Sequence, residues 1–236
     1  MSTTLLATRA DWMRLLNTAG AFVKEVKITV EGGRALCLAV DPAHVAIIKG
    51  EIDCGGTFTG SICVNVEKFI KALNACGGDE PQIEIDDYLS DMKIIGTAKI
   101  NMPLEADLGE IKDINRAMFE DETAIGTFNP VILEQPIGYC LWAKEQIISI
   151  KMNDRRLTFS MGSDRNTAEI SSDVPCEGPD ATSTYPLDYF SEMLKQTKGA
   201  ETVTVEIPQD DYPMLARWGV GTGVFSVVIA PRVEQE

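Results

Sequence analysis

Val66-Glu67-Lys68-Phe69-Ile70-Lys71-Ala72-Leu73, closed by Gly77-Gly78, and Leu187-Asp188-Tyr189-Phe190-Ser191-Glu192-Met193-Leu194, followed by Gly199, read as one pattern written twice, at an offset of 121. Each copy opens on an apolar residue and a carboxylate, places Phe at the fourth position and Leu at the eighth, and ends on glycine. Phe69, Ile70 and Leu73 fall on one side of a 3.6-residue helix. The glycines stop it, because they alone enter the left-handed C-terminal cap without a Cβ penalty. The spacing therefore predicts helices over Val66–Ala75 and Leu187–Gln196 in two related halves. A repeated supersecondary unit is a statement about architecture.

Outward from these helices, each half repeats an order of helix, strands, helix, strands. In the first half a helix is predicted over Ala10–Val23, with Trp12, Leu15, Leu16, Ala19, Phe22 and Val23 on its apolar stripe. Strands follow at Val26–Val30, Ala35–Val40, Val45–Ile52 and Phe58–Val64, then at Gln82–Ile85, Met92–Ile95 and Ala98–Met102. They are rich in β-branched residues and punctuated by Gly32-Gly33, Asp41-Pro42 and Gly55-Gly56. In the second half Asn129 caps a helix that begins at Pro130 and ends near Ala143. Pro136 inside it should kink it or force an irregular turn. Strands are predicted at Ile147–Met152, Leu157–Met161 and Ala168–Ser171, and at Thr202–Ile207, Met214–Trp218 and Val224–Ala230. Between the halves, Glu105–Glu122 carries Glu105, Asp107, Glu110, Asp113, Glu120 and Asp121 with little periodicity, and reads as a linker. The pattern implies an α+β protein with helices on one face of antiparallel sheet, divided into 1–106, a connector over 107–124, and 125–236.

Composition narrows the function. Hydrophobic residues make up 44% of the 236, enough for a sizeable core. The apolar stretches, such as Val224–Ala230, fall far short of the roughly 20 residues of a membrane span, so no membrane role and a cytoplasmic location are expected. Cys37, Cys54, Cys63, Cys76, Cys140 and Cys176 include no CxxC pair, and His44 is the one histidine, so neither a metal nor another cofactor is expected. His44 has no nucleophile or acid partner in spacing, and the glycine pairs lack a phosphate-loop context. The formal charge of −15 taken alone argues against nucleic acid, although distribution matters more than the sum.

Val40-Asp41-Pro42-Ala43-His44-Val45-Ala46-Ile47 resembles a turn and strand of the archaeal and eukaryotic DNA sliding clamps, the proliferating-cell nuclear antigen (PCNA) family. So does the end of the chain, Ile229-Ala230-Pro231-Arg232-Val233-Glu234. Asp11–Glu25 is similar to the family's first helix and Tyr185–Val205 to its last helix and following strand, and the likeness is co-linear over essentially the whole chain.

The resemblance implies a DNA-clamp fold of two similar domains, closed as a homotrimer around double-stranded DNA without reading its sequence. Such a ring is not an enzyme and needs no cofactor. It tethers DNA polymerase, is opened by a clamp loader, and takes other clients carrying a PCNA-interacting peptide. The DNA-binding residues implied are Arg14, Lys68 and Lys71 on the first two helices, with Lys195 and Lys198 on the last. The peptide pocket implied uses Val40, His44, Val45 and Ile47, with Pro213, Val228, Ala230, Pro231 and Val233. The connector adds apolar residues such as Ile114, Met118 or Phe119. Edge strands near Ala98–Leu104 and Thr167–Asp173 would pair between copies. The third helix departs from the pattern, having Glu134 and no Lys or Arg. That departure keeps open a clamp-like subunit of a heterotrimer, or a divergent paralogue. An unrelated α+β enzyme is the reading from another class, and the missing acid–base or metal constellation stands against it.

Overall fold

The computed structural model describes residues 3–111, 114, 119, 123–163, 166–172 and 176–232. It forms two compact units, Met1–Asp113 with Gly221–Phe225, and Ile114–Val220 with Ser226–Glu236.

The first unit runs β1 (Thr3–Leu6), α1 (Arg9–Gly20), β2 (Glu25–Glu31), β3 (Arg34–Val40), β4 (Ala46–Asp53), β5 (Gly55–Gly56), β6 (Gly60–Asn65), α2 (Val66–Cys76), β7 (Gln82–Ile85), β8 (Asp91–Ile95) and β9 (Lys99–Pro103). One antiparallel sheet has the order β5-β1-β7-β8-β9, and the strands β4-β3-β2-β6 lie side by side in another. Alternation along β2 sends Val26, Ile28 and Val30 inward, where Ile28 stands opposite Cys37 on one neighbour and Ile62 on the other. Helices α1 and α2 close this core. Thr8 caps α1 by accepting from the Asp11 amide at 3.1 Å, and Asn65 caps α2 by accepting from the Lys68 amide at 3.0 Å. Trp12 and Phe69 meet between them with ring centroids 5.6 Å apart. Phe225 also packs here, so close to Gly50 that a Cβ there would lie 3.0 Å from its ring and 2.8 Å from Leu15 Cδ1.

The second unit runs β10 (Ala124–Phe128), α3 (Val131–Trp142), β11 (Ile147–Asn153), β12 (Arg156–Ser163), β13 (Asn166–Ser172), β14 (Ala181–Pro186), α4 (Leu187–Gln196), β15 (Val203–Ile207), β16 (Met214–Val220) and β17 (Gly223–Ile229). Its sheets are β13-β12-β11-β14 and β10-β15-β16, with β17 beyond β16. Phe128 and Phe159 meet edge-on in its core at 4.9 Å, and Phe190 lies tilted against Phe159 at 6.1 Å. The repeat in the sequence is a repeat in structure: β14 and α4 follow β6 and α2 at the same offset of 121.

The predicted α2 and α4 form with boundaries within one residue. Helix α1 is shorter than expected. It ends at Gly20, so Phe22 and Val23 leave the buried stripe and stand half-buried in the segment after it. Helix α3 continues through Pro136 as one helical segment. It begins one residue later than expected, with Pro130 and not Asn129 at the N-cap; Asn129 accepts from the Val131 amide at 3.0 Å, while three-residue bonds tighten the first turn (Ile132 to Asn129, Leu133 to Pro130). Val45 lies in the turn before β4 rather than in the strand.

The C-terminus of α2 is fastened to the β8–β9 turn. The Ala98 amide donates to the Cys76 carbonyl at 2.8 Å, and Gly77, with φ 68°, turns the chain away. Gly96 passes so close that a Cβ there would lie 2.1 Å from the Gly77 carbonyl oxygen. Gly96→Ala must therefore push the two backbone segments apart, and is expected to destabilise the fold by about 3 kcal/mol, the upper end of overpacking costs. Urea unfolding measures this, and a loss under about 0.5 kcal/mol would show that the approach is not rigid.

Candidate functional site

Asp41 builds one rim of a groove in the first unit. Pro42 fixes φ for the turn leaving β3, and the Asp41 carboxylate, 3% exposed, folds back over it. It accepts from the amides of Ala43 at 3.0 Å, Val45 at 2.6 Å and Ala46 at 2.7 Å. Its own amide donates to the Ala46 carbonyl at 3.0 Å, and the His44 amide donates to the Asp41 carbonyl at 2.9 Å. The turn is thus fixed on both strands, and His44, at φ 57°, is left exposed on its crest.

The groove below has a volume of about 860 Å³. Val40, Pro42 and His44 form one wall. Phe22 and Val23 form a second, available because α1 stops early. Leu108 and Ile111, from the start of the connector, form the third. Lys24, Glu25 and Glu110 supply charge at the margin. These apolar side chains are half-buried or exposed, Leu108 to 38%, which is the character of a surface that accepts an apolar ligand.

Of the pocket residues expected, Val40 and His44 line this groove. Val45 and Ile47 are half-buried nearby in sequence without lining it. Pro213, Val228, Ala230 and Pro231 belong to the second unit, as does Phe119. There the tail is held by the Arg232 amide, which donates to the Thr184 carbonyl at 2.7 Å, and by the Arg232 guanidinium on Gln146 at 3.2 Å. Ile114 is buried. Met118 and Val233 lie outside the described residues. Phe22, Val23, Pro42, Leu108 and Ile111 were not anticipated. Proline and hydrophobic residues beside an Asp-Pro turn were a readable signal for Pro42, but nothing short of the true end of α1 frees Phe22 and Val23.

The five basic residues expected to meet DNA all lie on or just after helices, most of them with a carboxylate partner. The Arg14 guanidinium, 39% exposed, donates to Asp11 at 3.0 Å. Lys68 pairs with Glu105 at 2.9 Å, which raises the lysine above its ordinary pKa. Lys71 pairs with Glu67 one turn back, and this holds the Glu67 carboxyl below its usual value. Lys195 pairs with Glu192. Lys198 is exposed, but it sits past the end of α4 rather than on it. Helix α3 presents a different outer face: Val131 is 63% exposed, Tyr139 48% and Trp142 79%, with the two rings 6.1 Å apart.

Strands β9 and β13 each end a sheet, so each offers an unpaired backbone edge among the described strands.

No family model matches the sequence. A DNA polymerase sliding clamp of Thermoplasma volcanium is 23% identical, over 90% of this chain and 92% of its own. Among solved structures, A. fulgidus PCNA, solved with the C-terminal region of FEN-1 bound, superposes with a TM-score of 0.86 at 17% identity, covering 99% of this chain and 100% of that one. The PCNA2–PCNA3 complex of Sulfolobus tokodaii gives 0.80 at 19% identity over 98% and 100%, and the PCNA of Entamoeba histolytica gives 0.80 at 14% over 98% and 99%. The resemblance read from the sequence holds over the whole chain, and the α+β fold is that of the sliding clamps.

The Asp41 carboxylate answers three amides of the turn. Asp41→Ala is expected to lower stability by about 2–4 kcal/mol, since hydrogen bonds to a charged group contribute about 1.5–3 kcal/mol each and are not additive. Chemical denaturation of the two proteins checks this. Unchanged stability would mean that the turn holds itself.

Proposed function

We propose that this chain is a DNA sliding clamp: a homotrimer that encircles duplex DNA without sequence preference and tethers DNA polymerase and other proteins bearing a PCNA-interacting peptide. The observation that carries the reading is that the whole chain, both units and their repeat, superposes on clamp chains with almost nothing left over on either side. Its role is that of a scaffold rather than an enzyme, loaded by a clamp loader, in the cytoplasm. The domain division is 1–106, 107–124 and 125–236.

Closure uses the two unpaired edges, β9 of one copy against β13 of the next, which buries both and gives a cyclic contact. Phosphate contacts come from Arg14, Lys68, Lys71, Lys195 and Lys198, sparse and exchangeable as sliding demands. The groove beside Asp41 takes the client peptide, whose apolar and aromatic anchors fill the space between Val40, Phe22 and Leu108. Val45, Ile47, Pro213, Val228, Ala230, Pro231 and Val233, with Met118 or Phe119, are the further client-site residues that the family resemblance implies. The relative solved with a FEN-1 C-terminal region supports a peptide of this class.

A second reading, a subunit of a heterotrimer, is favoured by one observation: the outer face of α3 carries exposed Val131, Tyr139 and Trp142 beside Glu134 and Gln135, and has no Lys or Arg. A likeness to the PCNA2–PCNA3 complex accompanies it.

Sedimentation equilibrium separates these readings. The homotrimer predicts a mass three times 25.8 kDa, and a chain that stays monomeric as concentration rises selects the second reading. A primer-extension assay, with and without the protein, then tests tethering; product lengths unchanged by a loaded trimer would end the clamp reading. For the DNA contacts, Lys71→Glu with Lys195→Glu is expected to shorten retention on circular duplex about tenfold or more at low salt, with a smaller difference at high salt. The same reversal at Lys93 and Lys151, which lie on strands, should leave retention near wild type. Equal loss from both pairs would remove the assignment.

A further inference from the structure

The third wall of the groove is not part of a strand or helix. It is the first stretch of the connector, and something must hold it against β2. Between β9 and Ile111 the chain is tied at successive points: the Leu104 amide donates to the Ser90 carbonyl at 2.9 Å, the Glu105 amide to the Cys63 carbonyl at 2.8 Å, and the Glu105 carboxylate receives Lys68. The next tie is Lys27, on β2. Its ammonium donates to Asp107 Oδ1 at 2.8 Å and to the Gly109 carbonyl at 3.1 Å. The same Asp107 oxygen accepts from the Gly109 amide at 3.2 Å. Gly109 has φ 75°, a left-handed conformation that glycine adopts without strain, and Leu108, inside this clasp, and Ile111, just beyond it, are apolar residues that face the groove.

We propose that Lys27 is a positioning residue for the peptide groove: its ammonium, shared between Asp107 and the Gly109 carbonyl, holds the start of the connector as a preformed wall. The proposal rests on the reading of the groove as a peptide site. Lys27 does not line the groove, so its effect passes through Leu108 and Ile111. The chemistry fits lysine at this place. A side chain only 23% exposed gives its charge fewer competing waters than a free surface lysine, and three ammonium protons suffice for a carboxylate and a carbonyl together. The Asp107 hydrogen bond holds the Lys27 pKa above its ordinary value, and the same contact holds the Asp107 carboxyl below its own. A wall fixed before binding spares the peptide the entropy of ordering it. A wall released must be ordered on each encounter, so the loss appears as weaker affinity without loss of any contact in the complex.

The test uses the full chain and a synthetic peptide of zero net charge carrying one aliphatic and two adjacent aromatic side chains. Lys27→Met is expected to weaken its binding about tenfold in calorimetric titration, Lys27→Arg to stay within about twofold, and Leu108→Asp to abolish it. Amide hydrogen exchange at Leu108–Ile111 should speed up about tenfold in Lys27→Met and not in Lys27→Arg, with Asp41–Ala46 unchanged in both. Raising salt should weaken the wild type for this uncharged peptide and leave Lys27→Met unaffected, which a merely structural lysine would not do. Wild-type affinity in Lys27→Met, or unchanged exchange at Leu108–Ile111, overturns the proposal. A wild type that binds no peptide overturns the groove reading instead, and the exchange measurement still decides whether Lys27 holds the wall.

Discussion

Helices whose apolar stripes can be buried only against a sheet are the constraint on which both units depend. In α1 the stripe is Trp12, Leu15, Leu16 and Ala19, and in α2 it is Phe69, Ala72, Leu73 and Cys76, all buried. In the second unit, Leu133, Ile137 and Cys140 play this role on α3, and Phe190, Met193 and Leu194 on α4. Each large side chain buried contributes about 1.5–3 kcal/mol, so a helix with two or three of them cannot stand away from its sheet. Strand alternation supplies the opposing surface, and short turns follow because adjacent strands must pair antiparallel. What remains outside this requirement is the polar side of each helix, the sheet edges and the connector. The proposed phosphate contacts, the closing edges and the third wall of the groove lie in those three places, and the groove's other walls are the turn after β3 and the segment after α1.

That division explains what was legible in the sequence. Segments with one buried face announce themselves by period, which is why α2, α4 and β7 lie almost where they were expected. Strands β1, β10 and β14 were not anticipated. Thr3–Leu6 is too short to show an alternation, Ala124–Phe128 follows directly on an acidic tract, and Ala181–Pro186 ends in a proline. Their places are set by partners distant in the chain, such as Thr3 opposite Ile85 and Gly126 opposite Val205. The end of α1 was misplaced for a local reason. Phe22 and Val23 fit the apolar period, but Gly20 and the turn after it end the helix, and tertiary context overrides the pattern. Pro136 shows the reverse: it removes one helical hydrogen bond, yet Leu133, Ile137 and Cys140 are buried on both sides of it, and packing keeps the helix whole.

The site was only partly legible. Asp41-Pro42 marks a turn in any sequence, and the buried carboxylate with three amides gives that turn its rigidity. The connector was legible as a linker by its acidity, but the reason for that acidity was not. Glu105 and Asp107 are partners of Lys68 and Lys27, residues 37 and 80 positions away, and no window along the chain brings them together. The outward placing of Tyr139 and Trp142 on α3 was not read from the sequence.

A net charge of −15 and a hold on duplex DNA are compatible in the proposed clamp because of how the cations are partnered. Lys71 and Lys195 already have carboxylates within a turn of their own helices, at exposures that leave them in water. Exposed pairs of this kind are worth about 0–1 kcal/mol. A phosphate can therefore take the carboxylate's place with little net change in energy, and the lysine returns to Glu67 or Glu192 when the phosphate moves on. A cation without such a partner would bind each phosphate more deeply and give it up more slowly. Shallow exchange between two anions of similar strength suits a ring that must hold the duplex as a track, and it makes the acidic residues beside the lysines belong to the same device rather than oppose it.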